Sequence, residues 1–250
     1  MGRRHRTIVT AFILALAAPC FSQEVATTEF EFKVFGVGRD DFEGLYYHNG
    51  ETFEPLDFHR THRSIRTYAY KGPAVFGVYV RNPDHVVTNP QSQPFIKISE
   101  SLASGRAKRQ LIIFAASSLN REVSNPERRF TLYHIDDSPE AFPRNSIIIV
   151  NTTGAELYGR LAETQITLPR GYSEAIPYSS GNSGGATKIA FVLRTSEGPR
   201  LVMSNDLKIP ENRRIVLILE PPRRPGSMRI AVRMLSQSIF PRDEGEETTD

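Results

Sequence analysis

The hydrophobic residues of this chain fall mainly at alternate positions, in short runs that end at turn-forming residues. In TEFEFKVFGV, residues 28–37, the side chains of Phe30, Phe32 and Val34 would share one face of a strand. Turn residues recur about every 8 to 12 positions, a spacing typical of β-sandwiches and β-barrels. Only residues 98–110 could hold a helical turn, and they lack a sustained helical period. The pattern predicts an all-β protein.

Alternating and β-branched runs predict strands in both halves of the chain. In the first half they lie at residues 28–37, 64–70, 74–81, 94–98, 109–116 and 128–135. In the second half they lie at residues 146–151, 155–161, 164–168, 172–176, 187–195, 199–204, 213–219 and 227–235. The KGP sequence between the second and third of these strands is typical of a hairpin connection. Roughly fifteen strands exceed the seven to nine of one immunoglobulin-type sandwich.

The number of strands therefore predicts more than one domain. We expect two tandem antiparallel β-sandwich domains of the immunoglobulin-like type, at residues 24–136 and 145–238, with no visible sequence repeat between them. Residues 137–144 would form a capped turn that links the domains. The acidic residues 239–250 would form a disordered tail.

The N-terminal residues 1–22 have the layout of a bacterial secretory signal peptide, with arginines followed by an eleven-residue apolar stretch, Ile8 to Ala18. This stretch is shorter than the roughly 20 residues of a transmembrane helix, and no longer apolar run follows it. We expect cleavage within residues 20–23 and export to the periplasm or beyond the cell. Cys20, the only cysteine, could instead carry a lipid anchor, although the preceding Pro19 disfavours that modification.

The charge balance argues against nucleic-acid binding. The chain has 31 basic and 28 acidic side chains, and loss of the three signal-peptide arginines leaves 28 of each. The acidic tail leaves the folded body only weakly basic, without the clustered basic face that nucleic acid requires. Loss of Cys20 with the signal peptide would also exclude disulfides, thiol catalysis and cysteine-bound metals.

Three short features give the chain a resemblance to a known group of proteins. They are Tyr70 and Gly72 in the first half, the DDSPEAFPRNS corner at residues 136–146, and NTTG at residues 151–154. In the order of these three features along the sequence, the chain resembles uncharacterised secreted β-sandwich proteins of Gram-negative bacteria. The resemblance covers the layout of most of the mature chain, at turn and strand positions. It implies export and a β-sandwich fold, and it implies no site residues, because the family has no assigned activity.

The string GNSGGATK, residues 181–188, resembles the GDSGG segment around the nucleophile of chymotrypsin-like serine proteases. In such a site Ser183 would be the nucleophile, His62 the base and Asp136 the orienting carboxylate. The residues around His62, and Ala186 after the glycines, depart from the protease pattern. The same string is also typical of a glycine-rich loop between two strands. A serine hydrolase is therefore an alternative function.

Two groups of side chains could bind a metal ion. HRTH, residues 59–62, separates two histidines by three positions, but no helical period surrounds them to place both on one face. Asp136, Asp137 and Glu140 could supply oxygen ligands to calcium. Alternatively, Asp137 or Ser138 caps a short helical turn, and the segment is a hinge or corner between domains. We favour the cap, and we expect no metal or cofactor.

Exposed aromatic rings commonly form the platform of a sugar-binding site. Four tyrosines lie at suitable strand or loop positions: Tyr46, Tyr47, Tyr172 and Tyr178. Tyrosines in sandwiches are mostly half-buried with a solvated hydroxyl, so these four tyrosines are equally consistent with ordinary sandwich residues. The sequence favours an exported, non-enzymatic protein that binds an unknown protein or polysaccharide of the cell envelope, or supports it structurally, through its β-sandwich surfaces. A carbohydrate-binding module is the further alternative.

Overall fold

The computed structural model describes residues 27–38, 42–87, 92–116, 130–178 and 186–238. The first-half strands are β1 (Thr27–Val37), β2 (Leu45–His48), β3 (Phe53–Pro55), β4 (Tyr68–Pro73), β5 (Val75–Arg81), β6 (Phe95–Leu102), β7 (Arg109–Ala116) and β8 (Phe130–Asp136). The second-half strands are β9 (Ser146–Asn151), β10 (Leu157–Leu161), β11 (Thr164–Leu168), β12 (Gly171–Tyr172), β13 (Ile176–Pro177), β14 (Thr187–Thr195), β15 (Gly198–Leu207), β16 (Arg213–Glu220) and β17 (Ala231–Ser238). A single helical turn, α1, lies at Asp84–Val87. The predicted signal peptide and acidic tail lie outside the described residues.

The strands form four sheets, which confirms the all-β class and is consistent with β-sandwiches. Sheet A has the strand order β4-β1-β7-β8, and sheet B has the order β3-β2-β5-β6. Sheet C has the order β12-β9-β16-β17, with β13 also paired to β9, and sheet D has the order β11-β10-β14-β15. No helix in the described part of the chain is both long and apolar enough to cross a membrane.

The two halves of the chain share one topology, although their sequences show no repeat. In sheet A, β1 lies between antiparallel β4 and parallel β7, and β8 pairs with β7. In sheet C, β9 lies between antiparallel β12 and parallel β16, and β17 pairs with β16. Sheets B and D each have one central antiparallel pair, β2 with β5 and β10 with β14. Strands β9 to β17 thus repeat the arrangement of β1 to β8.

The described sheets stack in the order B, A, C, D, with a hydrophobic core between each pair of neighbours. Phe32 and Phe76 lie in the core between sheets A and B. Ile113 and Ile148 lie in the core between sheets A and C. Phe191 lies in the core between sheets C and D. Sheets A and C are therefore covered on both faces, and sheets B and D each have one outer face.

This layering explains the near-continuous apolar runs of β7, β9 and β16. Along β7, Ile112 faces the core between sheets A and B, and Ile113 faces the core between sheets A and C. A strand that is covered on both faces has no polar side in its sequence. In β1 the alternating pattern gives way to four consecutive buried residues at positions 34–37, where both faces are covered. The hydrophobic pattern thus records how many layers cover each strand.

Several predicted details of the strands are wrong. Strands β4 and β5 do not form a hairpin, because β4 belongs to sheet A and β5 to sheet B, so the chain changes sheets at Ala74. Sheets A and C each contain a parallel pair, so the sheets are not purely antiparallel. Strands β2 and β3 were not predicted, because runs of three and four residues show little alternation. The predicted strand at 172–176 consists of two short strands, β12 and β13, both paired to β9.

Candidate functional site

The outer face of sheet B carries a group of aromatic rings. Strand alternation turns Leu45 and Tyr47 of β2 into the core and leaves Tyr46 on the opposite face. The four outward rings of this group, which we call the aromatic face, are Tyr46, Phe53, Tyr79 and Phe95. None of these four half-buried rings belongs to a core cluster of the described residues. They are therefore candidates for contact with a ligand.

The four rings contact one another across the strands. Phe53 and Phe95 are stacked, with ring centroids 4.0 Å apart and planes 15° apart. Tyr79 meets Phe53 edge to face at 5.0 Å, and Tyr46 meets Phe95 edge to face at 5.0 Å. Such aromatic pairs stabilise a sheet by about 0.5–1.5 kcal/mol each beyond their burial. The contacts join the four rings into one continuous aromatic surface.

Two neighbours on β5 hold the tyrosines of the aromatic face in place. The Nε of Arg81 donates a hydrogen bond of 3.0 Å to the hydroxyl of Tyr46, and its guanidinium lies 5.5 Å from the Tyr46 ring centroid. Tyr79 lies over Gly77, where a Cβ would be 2.7 Å from the Tyr79 hydroxyl oxygen. Glycine at position 77 therefore allows the Tyr79 ring to lie down on the sheet.

The outer face of sheet D, which is the topological equivalent, is chemically different. Its outward side chains on β10 and β14 include Tyr158, Val192 and Arg194. Tyr158 is the one aromatic residue on the four strands of sheet D that faces outward, and the guanidinium of Arg194 lies 4.0 Å from its ring centroid. On β11 the outward positions hold Gln165 and Thr167. The sandwich topology therefore does not itself require an aromatic outer face.

An open cleft of about 900 Å³ lies beside the aromatic face. Its lining includes Gly36 and Gly38 of the β1 end, residues 42–46, residues 55–60, and Arg233 of β17. Arg233 belongs to sheet C, and the other lining residues belong to the first half of the chain. The cleft therefore lies where the two halves meet, and we call it the seam cleft. Its volume is in the range of small-molecule sites, about 300–1,000 Å³. Tyr46 belongs both to the seam cleft and to the aromatic face.

The two histidines of the HRTH segment stack on each other. The ring centroids of His59 and His62 are 3.3 Å apart, with planes at 14°. The Nδ1 of His62 is 2.7 Å from the carbonyl oxygen of Arg63, and the Nδ1 of His59 accepts a bond from the backbone N–H of Thr61. His59 lines the seam cleft. In the described residues, no three histidine, cysteine or acidic side chains form a group that could hold a metal ion.

The acidic corner after β8 uses its two aspartates differently. Asp136 Oδ1 accepts a bond of 2.9 Å from the backbone N–H of Ser138, and Ser138 Oγ accepts one of 3.2 Å from Ala141. Asp137 is buried, and both of its carboxylate oxygens accept bonds of 2.8 Å from Nη1 of Arg63. The carboxylate of Asp137 thus pairs with a guanidinium 74 residues earlier in the chain.

A second guanidinium approaches Asp137 from sheet C. Nη1 of Arg214 donates a bond of 3.2 Å to the backbone carbonyl of Asp137 and lies 3.9 Å from its Oδ1. Burial lowers the pKa of Arg214, and the charge of Asp137 opposes this effect. Arg63, Asp137 and Arg214 therefore form a buried charge cluster where the two halves meet. Asp136, Asp137 and Glu140, the proposed calcium ligands, form no ring of oxygens in the described residues.

Of the three residues proposed for a serine hydrolase, His62 and Asp136 lie in the described part of the chain. Ser183 lies outside the described residues. The side chain of His62 contacts the Arg63 carbonyl and the His59 ring, whereas Asp136 bonds to the Ser138 backbone. The structure thus shows a separate set of contacts for each of the two residues.

A different serine and histidine lie together between sheets A and B. Ser101 Oγ is 2.7 Å from Nε2 of His134, and Nδ1 of His134 is 2.8 Å from Oε1 of Gln110. Nε2 of Gln110 donates bonds to the carbonyls of Ser104 and Ala107, at 2.9 and 3.1 Å, which fixes the orientation of the amide. His134 therefore donates from Nδ1 to Gln110 and accepts at Nε2 from the Ser101 hydroxyl.

This network has the connectivity of a nucleophile, a base and an orienting group, but its electrostatics differ from those of a serine hydrolase. Burial lowers the pKa of His134 to about 4, so the ring is neutral near pH 7. The orienting group, Gln110, is uncharged and cannot stabilise an imidazolium as a carboxylate does. We interpret the network as hydrogen bonding of buried polar groups. Its members on β6, β7 and β8 have no motif spacing, so the sequence analysis missed them.

The tyrosines considered as sugar contacts have different environments. Tyr47 and Tyr178 are buried, and burial raises the pKa of Tyr47 to about 12. Tyr172 is 43% exposed, but its hydroxyl donates a bond of 2.7 Å to the backbone carbonyl of His134. Only Tyr46 of this set belongs to the aromatic face. The other rings of the aromatic face, Phe53, Tyr79 and Phe95, were missed, because the sequence gives no sign that these strands share a face.

No protein-family model matches the sequence, and no curated protein is significantly similar to it. The argument for function therefore rests on the chemistry of these surfaces.

Proposed function

We propose that this chain is an exported, non-enzymatic protein of the cell envelope that binds a neutral polysaccharide on its aromatic face. In this proposal residues 1–22 are a signal peptide, and the two pairs of sheets are two tandem immunoglobulin-like domains. The observation that carries the proposal is the contrast between the outer faces of sheets B and D. The same topology has four contacting rings on one face and a single ring on the other.

The size of the aromatic face favours a small or ribbon-like ligand over a protein partner. The four rings are half-buried, and together they expose at most about 350 Å². A stable protein interface covers about 800 Å² on each partner. A sugar ring covers much less area, and the C–H groups on its flat side can pack against an aromatic ring while its hydroxyl groups remain available for hydrogen bonds.

The polar side chains around the aromatic face match this ligand. Arg81 lies against Tyr46, and Lys97 and Glu100 form an exposed ion pair of 2.6 Å on β6. His48 of β2 lies on the same face and meets Phe53 edge to face at 4.8 Å. Both signs of charge are present, so the surface offers donors and acceptors without a strong field for an anion. A neutral, β-linked glucan-like chain presents flat C–H faces and equatorial hydroxyls, and it fits such a surface.

The proposal is tested by the retention of the mature protein on chitin and on cellulose, two insoluble β-1,4-linked polysaccharides. We expect the wild-type protein to be retained on at least one of them. Simultaneous Phe53→Ala and Phe95→Ala substitutions remove the stacked pair and should weaken retention by at least about tenfold.

The matched control is Tyr158→Ala, which removes the outward ring of sheet D and should leave retention unchanged. Circular dichroism checks that each variant is folded. The proposal is wrong if the wild-type protein is retained on neither polysaccharide, or if the double variant is retained as well as the wild type.

A further inference from the structure

The seam cleft opens directly beside the aromatic face, and the same pair of strands leads into it. Tyr46 and Pro55 are partners in the register of β2 and β3, and both line the cleft. Past the end of β3, the backbone N–H of Leu56 still bonds to the carbonyl of Leu45 at 2.8 Å. We propose that the seam cleft is the second part of the glycan site, so that one chain lies on the aromatic face and reaches into the cleft. This inference rests on the proposed function.

The floor of the seam cleft is aromatic and tightly packed. The rings of Phe42 and Phe58 stack at 5.0 Å, with planes 28° apart, and both line the cleft. Phe42 also stacks on Phe130 at 5.4 Å. The ring lies against Gly36, where a Cβ would be 2.5 Å from it. The floor is therefore anchored to sheet A, and it lies beside Tyr46, which also lines the cleft.

The rim of the seam cleft supplies polar groups on a positioned loop. The backbone N–H of Asp57 donates a bond of 2.7 Å to the hydroxyl of Tyr68, a buried core residue. The carbonyl of Arg60 accepts a bond of 3.5 Å from Nη1 of Arg233, which is paired with Glu220 at 3.1 Å. The loop that carries Asp57 and Arg60 is therefore attached both to the first core and to sheet C.

The charges of the lining favour a neutral polyhydroxylated ligand. Glu43 and Asp57 are carboxylates, Arg60 is a guanidinium, and the guanidinium of Arg233 is paired with Glu220, so the lining has no excess of positive charge. A phosphate or sulfate group requires an excess of positive charge, which these residues do not provide. Carboxylates accept hydrogen bonds from hydroxyl groups, and guanidiniums donate them, so the lining can serve both roles of a sugar hydroxyl.

The length of the bound sugar oligomer distinguishes binding in the seam cleft from binding on the aromatic face alone. The probes are β-1,4-linked N-acetylglucosamine oligomers and β-1,4-linked glucose oligomers of two to six units, with binding measured by isothermal titration calorimetry. For at least one of the two series, we expect affinity to rise with length, because longer chains reach the cleft. In that series Asp57→Ala and Arg60→Ala should each weaken binding of the hexamer by roughly tenfold and leave the dimer unchanged. Asp206→Ala, an exposed carboxylate on sheet D, should change neither.

The outcomes separate this inference from the proposed function. If the cleft variants bind every length like the wild type, the seam cleft is not a subsite, whereas loss of binding in the Phe53→Ala, Phe95→Ala variant still supports the aromatic face. If the cleft variants lose affinity for the dimer and the hexamer equally, the ligand does not extend from the face to the cleft. If the wild-type protein binds no oligomer of either series, both proposals fail.

Discussion

His134 makes the stability of this protein depend on pH in a way that a single substitution can isolate. The ring is enclosed between sheets A and B, where it contacts Phe30 and Phe76 edge to face and bonds to Ser101 and Gln110. These four neighbours are uncharged, so nothing among them compensates the burial of a charged ring. Burial lowers the pKa of His134 from 6.5 to about 4.

The sign of the effect follows from the direction of this shift. Between about pH 6.5 and pH 4 the unfolded chain carries a proton on His134 and the folded protein does not. The free energy of unfolding therefore has its full value above pH 6.5. It falls as the pH decreases, until the folded protein also binds the proton near pH 4. A difference of about 2.5 pKa units corresponds to a loss of about 3 kcal/mol in the free energy of unfolding.

The test compares the wild-type protein with His134→Gln, which cannot be protonated and can still donate to Gln110. Urea unfolding is followed by circular dichroism from pH 7.5 to pH 4, because the chain has no tryptophan. At pH 7.5 we expect the variant to be less stable. Toward pH 4 the difference should shrink by about 3 kcal/mol, because only the wild type loses the histidine contribution. A difference that stays constant over this range would refute the reasoning.

Two further predictions concern the acidic corner and the serines. Asp137→Asn leaves two buried guanidiniums without a counter-charge, so it should cost about 3–5 kcal/mol and lower the unfolding temperature by roughly 10 °C. The neighbouring Asp136→Asn keeps an acceptor for the Ser138 N–H and should change the unfolding temperature little; equal effects of the two substitutions would contradict the buried charge cluster. A fluorophosphonate probe should label neither Ser101 nor Ser183, and mass spectrometry would detect labelling of Ser183 if the hydrolase alternative were correct.

The strands of the covered sheets could be predicted because burial on both faces leaves a strong local signal. The run RQLIIFAA of β7 has apolar side chains on two sides, and its sequence alone indicates a central strand. The change of sheets between β4 and β5 could not be predicted, because a short connection with glycine and proline also suits a hairpin. Local sequence does not record which sheet accepts the next strand.

The candidate sites were less predictable, because long-range pairs create them. The cap that Ser138 provides is a local interaction, and it was predicted from the sequence, whereas Asp137, the other predicted cap, does not provide it. The partner of Asp137 is Arg63, and no local pattern connects two residues in different loops. The rings of the aromatic face come from four strands, two of which are too short to show alternation. Their common face follows only from the strand order of sheet B.

The core between sheets A and C has a consequence for how the molecule can be oriented. Four stacked sheets place the outer faces of B and D about 30 Å apart, and those faces point in opposite directions. A polymer bound on the aromatic face would therefore leave the whole polar surface of sheet D directed away from the polymer. With a single binding face, the molecule would coat a polysaccharide without cross-linking two polysaccharide chains.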